Sequence, residues 1–275
     1  MQKEADRIVT SKELSEEFAN LPKQNGYSTG YKQLDYYLRH VAEGDLIILT
    51  GNTGEGKSAF GVSLTKNFLE QQLGCLWFSF ELSGQELLER FSEKPTNMPI
   101  FHLPRIISSK SADWIEKKIV EGIKFHNTKV VFIDHLHYLT DDATVRNKNL
   151  PEILGDLCRR FKMIARKYRV IVFLLAHVRK VSQSTKKGVV NRPTLDDLAG
   201  SAAIGQEADT VLVIQRIGKK RSKKIDIDEI AELSTDVKVY IDKNRRLGRL
   251  GSITMMFDVD EKVHKEYETL EDIEL

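Results

Sequence analysis

Short runs of apolar residues alternate along the chain with longer segments in which apolar residues recur every three or four positions. The short runs are typical of strands, and the wider spacing is typical of helices with one buried face. Seven strands are predicted on this basis, at residues 46–49, 75–80, 130–133, 170–175, 211–214, 237–241 and 253–257. Most of these runs are apolar at consecutive positions, as in strands that are buried on both faces of a sheet.

Helices are predicted between several of these strands. A glycine-rich turn precedes the first helix, and Pro151 opens the last one. The helices are expected at residues 57–71, from residue 83 onward, around residues 115–123 and from residue 151 to about 164. This alternation predicts an α/β fold with a largely parallel sheet that is covered by helices on both faces. In such sheets the ligand crevice lies at the carboxyl ends of the strands.

A short amphipathic segment precedes the first strand. Residues 10–13 have the spacing of a helix capping box, and Leu14, Phe18 and Leu21 then fall on one helical face. Pro22 is expected to end this helix. Such a helix could pack on the core of its own chain or dock on a neighbouring subunit.

The composition of the 275 residues is that of an ordinary globular protein, with 41% hydrophobic and 30% charged residues and a net charge of +2. The longest apolar run, residues 170–176, is far shorter than the roughly 20 residues of a membrane helix. The charged N-terminus lacks the apolar segment of a secretory signal. Cys75 and Cys158 lack metal-ligand spacing and are interpreted as buried thiols of a reducing compartment. We therefore do not expect a membrane protein, a disulfide scaffold or a secreted enzyme. A cytoplasmic location is expected instead.

The charge is distributed unevenly along the chain. Residues 179–192 carry five basic residues and no acid, and residues 216–224 carry six basic residues and no acid. Residues 258–275 carry eight acids against two lysines. Single runs of this kind are often solvated loops, but several basic loops in one chain favour a polyanionic partner. Residues 219–224 could contact nucleic acid or form an insertion, and the insertion is the favoured interpretation.

Residues 51–58, with the sequence GNTGEGKS, fit the pattern G-x-x-x-x-G-K-[ST] and lie between a predicted strand and a predicted helix. Glycines in this pattern let backbone N–H groups and the helix N-terminus face phosphate oxygens. Lys57 is expected to reach the β- and γ-phosphates, and Ser58 is expected to ligate Mg²⁺. The predicted ligand is ATP, or another NTP or dNTP, with Mg²⁺. The residues expected to bind it are Gly51, Asn52, Thr53, Gly54, Glu55, Gly56, Lys57 and Ser58.

Three further side chains follow the ends of predicted strands. Asp134 closes an apolar strand, as a Walker-B aspartate does, and is the second predicted Mg²⁺ ligand. Glu81 ends a strand at the same edge, where a carboxylate can activate the water that attacks the γ-phosphate; the alternative is a surface glutamate. His177 could sense or polarise the γ-phosphate, and the alternative is a core imidazole.

Five segments carry a resemblance to a known family. They are residues 77–83 (WFSFELS), Asp134–His135, residues 177–180 (HVRK), residues 198–209 (LAGSAAIGQEAD) and Lys243–Asn244–Arg245, which is followed by Gly248 and Gly251. In this order they resemble the RecA-like hexameric replicative helicases. Within that superfamily the chain is most similar to the helicase half of phage primase-helicases and of the mitochondrial helicase Twinkle, and bacterial DnaB-type helicases are more distant. The resemblance covers residues 28–257.

The resemblance implies a RecA-like P-loop NTPase core with a C-terminal antiparallel extension. It implies a linker helix segment at residues 1–26 and an ATPase domain at residues 27–275. Family members form homo-hexameric or heptameric rings that bind nucleotide between subunits, with Gln206 expected among the nucleotide-binding residues. Lys243 and Arg245 resemble the arginine-finger hairpin that enters the nucleotide site of the adjacent subunit. They alternate on a strand end, so both can point the same way, although an ordinary basic hairpin is the alternative.

The resemblance also implies single-stranded DNA as a partner. In the family, the loop that follows the γ-phosphate sensor lines the central pore and tracks the DNA backbone. The candidates for this contact are Arg179, Lys180, Lys186 and Lys187, whose charge gives sequence-independent and salt-sensitive binding. Residues 141–148, with Arg146 and Lys148, are a second candidate pore loop. Neither loop offers an aromatic stacking platform, so backbone contacts are expected to dominate.

Two features depart from the family pattern. Residues 197–199 are Asp-Leu-Ala where many relatives have Asp-Leu-Arg, so any role of that arginine is lost or moved. The segment before the core is also too short for a primase or a helical N-terminal domain. A primase, a loader or a polymerase would therefore be a separate protein, in the host cytoplasm if a phage encodes the chain.

Two alternatives to a ring-forming helicase stay open at this point. A RecA/RadA-type recombination ATPase would coat DNA as a filament and would not unwind processively. A KaiC-like regulatory ATPase would act on protein and would not be stimulated by DNA. The segment around Gln206 and the Lys243–Arg245 hairpin favour the ring.

Overall fold

The computed structural model describes residues 7–19, 26–141, 149–177, 201–217 and 236–267. Its helices are α1 (Ser11–Ala19), α2 (Lys32–Leu38), α3 (Lys57–Glu70), α4 (Gly84–Phe91), α5 (Ala112–His126), α6 (Leu150–Tyr168) and α7 (Ser201–Glu207). Its strands are β1 (Gly26–Tyr27), β2 (Val41–Ala42), β3 (Leu46–Gly51), β4 (Gly74–Ser79), β5 (Thr128–Asp134), β6 (Ile171–His177), β7 (Thr210–Arg216), β8 (Asp236–Asn244), β9 (Gly251–Asp258) and β10 (Val263–Glu266). Every strand and helix that the apolar pattern predicts is present at its expected place.

Eight strands form one sheet in this part of the chain, in the order β10–β9–β8–β7–β3–β6–β5–β4. The five strands from β7 to β4 run parallel, and β8, β9 and β10 are added antiparallel beside β7. This arrangement confirms the predicted α/β class with its C-terminal antiparallel extension. The sequence does not predict β1, β2 or β10, because a two-residue strand has no period and β10 contains one apolar residue.

Helices cover both faces of the sheet. Successive residues of a strand face opposite sides, so Ile47 and Leu49 pack into one apolar cluster and Leu46 and Ile48 pack into the other. The first cluster lies under α2, α3 and α4, and the second lies under α5, α6 and α7. Burial from both sides explains why the central strands are apolar at consecutive positions.

The glycine-rich turn leads into α3, which is fixed tightly to the sheet. Trp77, Phe132 and Phe173 of three neighbouring strands stack with centroid distances of 4.7 and 4.9 Å. The Trp77 indole N–H donates a 2.9 Å hydrogen bond to Thr65 Oγ1 of α3. A Cβ on Gly61 would lie only 2.9 Å from the Trp77 ring, so the glycine allows the helix to approach. The start of α3 is therefore held at a defined position above the strand ends.

The capping box that the sequence predicts at residues 10–13 is formed, and a second one is present at the start of α4. Ser83 and Glu86 bond reciprocally at the start of α4. At the start of α1, the Glu13 N–H donates to Thr10 Oγ1 at 3.1 Å and the Thr10 N–H donates to Glu13 Oε2 at 2.9 Å. Residues 20–25 lie outside the described ranges, so docking of α1 on a neighbouring subunit and the domain boundary after residue 26 stay predictions.

The structure also shows the state of the cysteines and the character of the helices. Cys75 and Cys158 are buried free thiols, as their spacing predicts. Across the described ranges, the helices fall short of the length or the apolar content that a membrane crossing requires.

Candidate nucleotide-binding site

Four parallel strands end at one edge of the sheet, called the P-loop edge below. In the strand register Gly51 of β3 lies opposite His177 of β6, and Asp134 of β5 lies opposite Ser79 of β4. Glu81 follows the end of β4. The structure thus brings the glycine-rich turn and all three strand-end side chains to one place.

The backbone of the turn depends on its glycines. Gly51 has φ 153°, and a Cβ there would lie 2.3 Å from the carbonyl oxygen of Ile214 on β7. Gly54 and Gly56 have φ 83° and 95°, in the left-handed region that favours glycine. The turn can therefore curl over the start of α3 and present its N–H groups to an anion.

Lys57, the first residue of α3, is buried beneath the turn. Its Nζ donates hydrogen bonds to the carbonyl oxygens of Gly51 at 3.0 Å and Asn52 at 2.9 Å. Burial lowers the pKa of Lys57, and the nearby carboxylates of Asp134 and Glu81 act against that shift. Phosphate oxygens are charged acceptors and bind an ammonium group more strongly than carbonyls do. The lysine is thus placed to exchange these carbonyl contacts for a phosphate.

Ser58 and Asp134 form the second element of the site. The Ser58 hydroxyl donates a 2.7 Å hydrogen bond to Asp134 Oδ2. Asp134 is buried, and burial raises its pKa to about 6 although the Ser58 hydrogen bond lowers it. Two octahedral Mg²⁺ ligands at about 2.0–2.1 Å from the ion lie about 2.9 Å apart. The hydroxyl and the carboxylate are hard oxygen donors at nearly that spacing, so these two residues fit the metal.

Glu81 lies between two imidazoles. Its Oε2 is 3.6 Å from His135 Nε2 and 3.7 Å from His177 Nε2. Burial lowers the pKa of His135 to about 3 and also lowers the pKa of His177. His177 Nδ1 is 3.5 Å from Thr53 Oγ1 of the turn, a marginal hydrogen-bond distance. Both rings are therefore neutral at pH 7, and neither forms an ion pair with the Glu81 side chain.

Sequence reasoning assigned no role to His135 or His137, which lie directly after β5. The ring centroid of His135 is 4.1 Å from that of His177 and 5.5 Å from that of His137. The signal in the sequence was the concentration of histidines just after two strands that were both predicted to end at the P-loop edge. Their contact across the strands depends on β5 and β6 being neighbours, which the local pattern does not give.

Lys243 and Arg245 lie at the opposite edge of the sheet, called the arginine edge below. β8 runs antiparallel, so its last residue, Asn244, pairs with Thr210, and Thr210 pairs with Ile47 of β3. That position is four residues before Gly51, or about 13 Å along the strand. The structure does not bring Lys243 or Arg245 to the P-loop of their own chain.

Both cations point the same way, as their alternation predicts, and both contact the end of α7. Lys243 Nζ donates to the carbonyl oxygens of Gly205 and, at 3.3 Å, Gln206. Arg245 donates to the carbonyl oxygen of Gln206 at 2.7 Å. These carbonyls carry the negative end of the helix dipole. Gln206 is exposed and lies at the arginine edge with the two cations, so its expected nucleotide contact would have to be made to another protomer.

Asp209 is a further residue whose role sequence reasoning missed. Its Oδ2 accepts a 2.8 Å hydrogen bond from the Leu46 N–H and pairs with the buried ammonium group of Lys162. Its backbone oxygen accepts from the Arg245 N–H at 2.8 Å, and its Oδ1 lies 3.3 Å from the Arg245 guanidinium. Asp209 therefore ties Arg245 to the central strand and to α6. The signal in the sequence was a carboxylate directly before β7, two positions ahead of its apolar run.

The predicted DNA-binding residues Arg179, Lys180, Lys186 and Lys187 lie outside the described residues. The same holds for residues 142–148 of the second candidate pore loop, which include Arg146 and Lys148, for residues 197–199 and for residues 219–224. His177, which precedes the first loop, is the last described residue before it. The DNA contact therefore stays a prediction.

Comparison with protein families gives a match over most of the chain. The family described as "DnaB-like helicase C terminal domain" matches residues 26–121 and 108–266. A probable replicative DNA helicase of Trieres chinensis is 27% identical over 267 residues, which cover 87% of this chain and 57% of that protein. The chain thus spans just over half the length of that relative.

Solved structures match the fold. A DnaB-like replicative helicase, studied with its interactions with primase, aligns over 96% of this chain and 68% of its own, with a TM-score of 0.72 and 20% identity. A second solved structure, that of an isolated ATPase domain, aligns over 95% of this chain and all of its own, with a TM-score of 0.73 and 20% identity.

Proposed function

Because the chain belongs to the family of the DnaB-like helicase C-terminal domain, we propose that it is the motor domain of a ring-forming, NTP-dependent replicative DNA helicase. Membership confirms the superfamily that the sequence motifs predict, and the fold is the RecA-like ATPase fold. The closer likeness to phage primase-helicases and Twinkle stays a prediction. The unwinding activity, the nucleotide and the partners are proposals that rest on the geometry described above.

One observation carries the proposal: the two halves of a phosphoryl-transfer site lie at opposite edges of one sheet. Lys57, Ser58, Asp134 and Glu81 lie at the P-loop edge, and Arg245 lies at the arginine edge. A single rigid protomer cannot join these edges. A head-to-tail ring joins them at every interface, because one protomer's arginine edge meets the next protomer's P-loop edge.

Each side chain has a distinct proposed task. Lys57 and the N–H groups of the turn bind the β- and γ-phosphates, and Ser58 and Asp134 hold Mg²⁺. When bound, Mg²⁺ neutralises charge on the phosphate oxygens. Glu81 orients the attacking water and accepts its proton. His177, next to Thr53, hydrogen-bonds the γ-phosphate and directly precedes the proposed DNA loop in sequence.

Arg245 and Lys243 of the neighbouring protomer would stabilise the charge of the transferring phosphoryl group. An arginine supplied in this way is worth about 10³–10⁵ in rate. Exchange of their α7 carbonyl contacts for phosphate oxygens is favourable, because a phosphate oxygen is a charged acceptor and a carbonyl oxygen is a neutral one. Hydrolysis would therefore depend on assembly.

The proposed partners are single-stranded DNA, bound through Arg179, Lys180, Lys186 and Lys187, and further copies of the chain in a hexamer or heptamer. A primase, a loader or a polymerase is a further proposed partner, and the solved relative studied with primase supports a partner of that kind. A cytoplasmic site of action follows from this role.

The test is a subunit-mixing experiment on the full chain. Arg245→Ala and Glu81→Gln should each abolish NTP turnover alone, yet mixed rings should recover it. Interfaces that join an intact Glu81 to an intact Arg245 are complete, which is roughly one interface in four in an equal mixture. Mixing without recovery would contradict the composite site. Turnover that never displaces a strand from a DNA fork would contradict the helicase, and extended filaments in electron micrographs would favour the recombinase alternative.

A further inference from the structure

Glu81, His135 and His177 form a compact group at the P-loop edge, called the metal triad below. One ligand atom from each of the three lies within 4.8 Å of the other two. The Glu81 carboxylate oxygen is 3.6 Å from His135 Nε2 and 3.7 Å from His177 Nε2. The triad shares no residue with the neighbouring Ser58–Asp134 oxygen pair, which fits Mg²⁺.

The donor atoms favour a transition metal over Mg²⁺. Two imidazole nitrogens and one carboxylate are the protein ligands of many zinc sites that keep an open fourth position. Ligands at about 2.0–2.1 Å in a tetrahedral site lie about 3.3 Å apart, whereas facial octahedral ligands at about 2.1 Å lie about 3.0 Å apart. The measured 3.6 and 3.7 Å are nearer the tetrahedral value.

We propose that the metal triad binds a divalent transition-metal ion, with Zn²⁺ as the best fit, in the nucleotide-free protein. Water would occupy the fourth position, because the Glu81 side chain is 34% exposed and opens the site to solvent. Small rotations of the two rings close the remaining few tenths of an ångström to the carboxylate.

Two features of the surroundings set the expected affinity. His177 Nδ1 has Thr53 Oγ1 at 3.5 Å as a supporting contact, whereas His135 Nδ1 is buried and has no hydrogen-bond partner among the described residues. A missing partner on the far side of a ligating ring typically weakens metal binding by about 10- to 100-fold. The Lys57 ammonium nearby also repels a cation. Binding is therefore expected in the micromolar range, below the affinity of a closed structural zinc site.

Occupancy has one consequence that rests on the proposed function. A metal on Glu81 engages the carboxylate that the reaction needs as a base. Zn²⁺ should therefore inhibit NTP turnover, and a chelator should restore it. The site would act as a metal-sensitive brake on the motor.

The experiment is a Co²⁺ titration of the untagged full chain, because Co²⁺ substitutes for Zn²⁺ and absorbs strongly in the visible only when tetrahedral. We expect one equivalent to bind with that absorption and Zn²⁺ to displace it. Glu81→Gln, which keeps the side-chain shape, and His135→Ala should each weaken binding at least 10-fold, by roughly the scale of a lost supporting contact or more. The matched control is His126→Ala, because His126 is an exposed histidine that stacks on His102 away from the P-loop edge.

The inference is overturned if Glu81→Gln binds Co²⁺ as tightly as the wild type, if His126→Ala removes the signal, or if no stoichiometric binding occurs below about 100 μM. The metal-site inference and the helicase proposal are tested independently of each other. A chain that binds Co²⁺ at the triad but never unwinds DNA refutes only the proposed function. A chain that unwinds DNA without binding Co²⁺ refutes only the metal site.

Discussion

Each edge of the sheet has a buried aspartate, and the two aspartates have opposite surroundings. Asp209, at the arginine edge, pairs with the buried ammonium group of Lys162 and accepts a backbone hydrogen bond from Leu46. Asp134, at the P-loop edge, is hydrogen-bonded to the neutral Ser58 hydroxyl, and burial raises its pKa to about 6. Asp209 already has its cation, whereas Asp134 is arranged to receive one.

The different surroundings indicate different roles, a structural one for Asp209 and a ligand-binding one for Asp134. A buried charge without a compensating cation costs stability, so such a carboxylate in a cleft is a candidate for binding a cationic ligand. A buried pair such as Asp209–Lys162 can instead fix the position of a neighbour, here Arg245. We therefore interpret the P-loop edge as the half of the site that binds the nucleotide. The arginine edge holds Arg245 in place for its proposed contact with another protomer.

The largest expected effect is that of Lys57→Ala at the P-loop edge. Loss of the ammonium group removes the main electrostatic contact to the phosphates, so NTP turnover should fall more than about 10³-fold and nucleotide binding should weaken with it. Turnover assays and calorimetry measure the two effects. Lys66→Ala is the matched control, because Lys66 lies on the same helix and donates to Glu261 instead. Tight nucleotide binding by Lys57→Ala would contradict the assignment.

Arg245→Ala should also reduce turnover, by about 10³-fold, but with nucleotide binding nearly unchanged. This contrast with Lys57→Ala distinguishes the role of the arginine edge in turnover from the role of the P-loop edge in nucleotide binding. The control is Arg246→Ala, since the adjacent Arg246 pairs with Asp45 at 2.9 Å. If Arg245→Ala and Arg246→Ala reduced NTP turnover equally, the total positive charge at this edge would matter rather than a specific arginine finger.

Asp209→Asn should destabilise the protein by about 3 kcal/mol, because it leaves the buried Lys162 ammonium group without its partner. Urea unfolding measures this loss, and kcat should fall more than KM rises because Arg245 loses the contact that holds it in place. Asp156→Asn is the control, since the exposed Asp156–Arg159 pair should contribute less than about 1 kcal/mol. A stability within roughly 0.5 kcal/mol of the wild type, the scale of a surface substitution, would contradict the supporting role.

Asp134→Asn should change the stability of the folded protein in the opposite direction to Asp209→Asn, and by a smaller amount. Folding raises the pKa of Asp134 from 3.8 to about 6, so its protonated form adds stability below about pH 4, and that contribution is lost as the pH rises through about 6. The substitution should therefore stabilise the nucleotide-free protein by about 1–3 kcal/mol at pH 8 and by little at pH 4.

Thermal and urea unfolding at the two pH values measure this difference. Asp134→Asn should also lose Mg²⁺-dependent nucleotide binding at both pH values. A variant that is less stable than the wild type at pH 8 would show that Asp134 is a structural residue like Asp209.

The sequence predicts well those features that depend on neighbours along the chain. The strands, the capping boxes and the turn at residues 51–58 all follow from local spacing and residue type. Contacts between elements that are adjacent in the sheet but distant in sequence do not follow from local spacing. Lys162 and Asp209 are 47 positions apart, and His135 meets His177 only because β5 and β6 are neighbours. The family resemblance supplied the role of Arg245, and only the antiparallel pairing of β8 gave its distance from the P-loop.

The packing of Trp77 has a practical consequence. The chain has two tryptophans, and Trp77 is fully buried with its indole bonded to Thr65 of the helix that begins at Lys57. Trp114 lies on α5, edge-on to Phe78, on the other side of the sheet. With Trp114 replaced by phenylalanine, the fluorescence emission of the remaining indole would report a movement of α3 at Thr65 when nucleotide binds at the start of this helix.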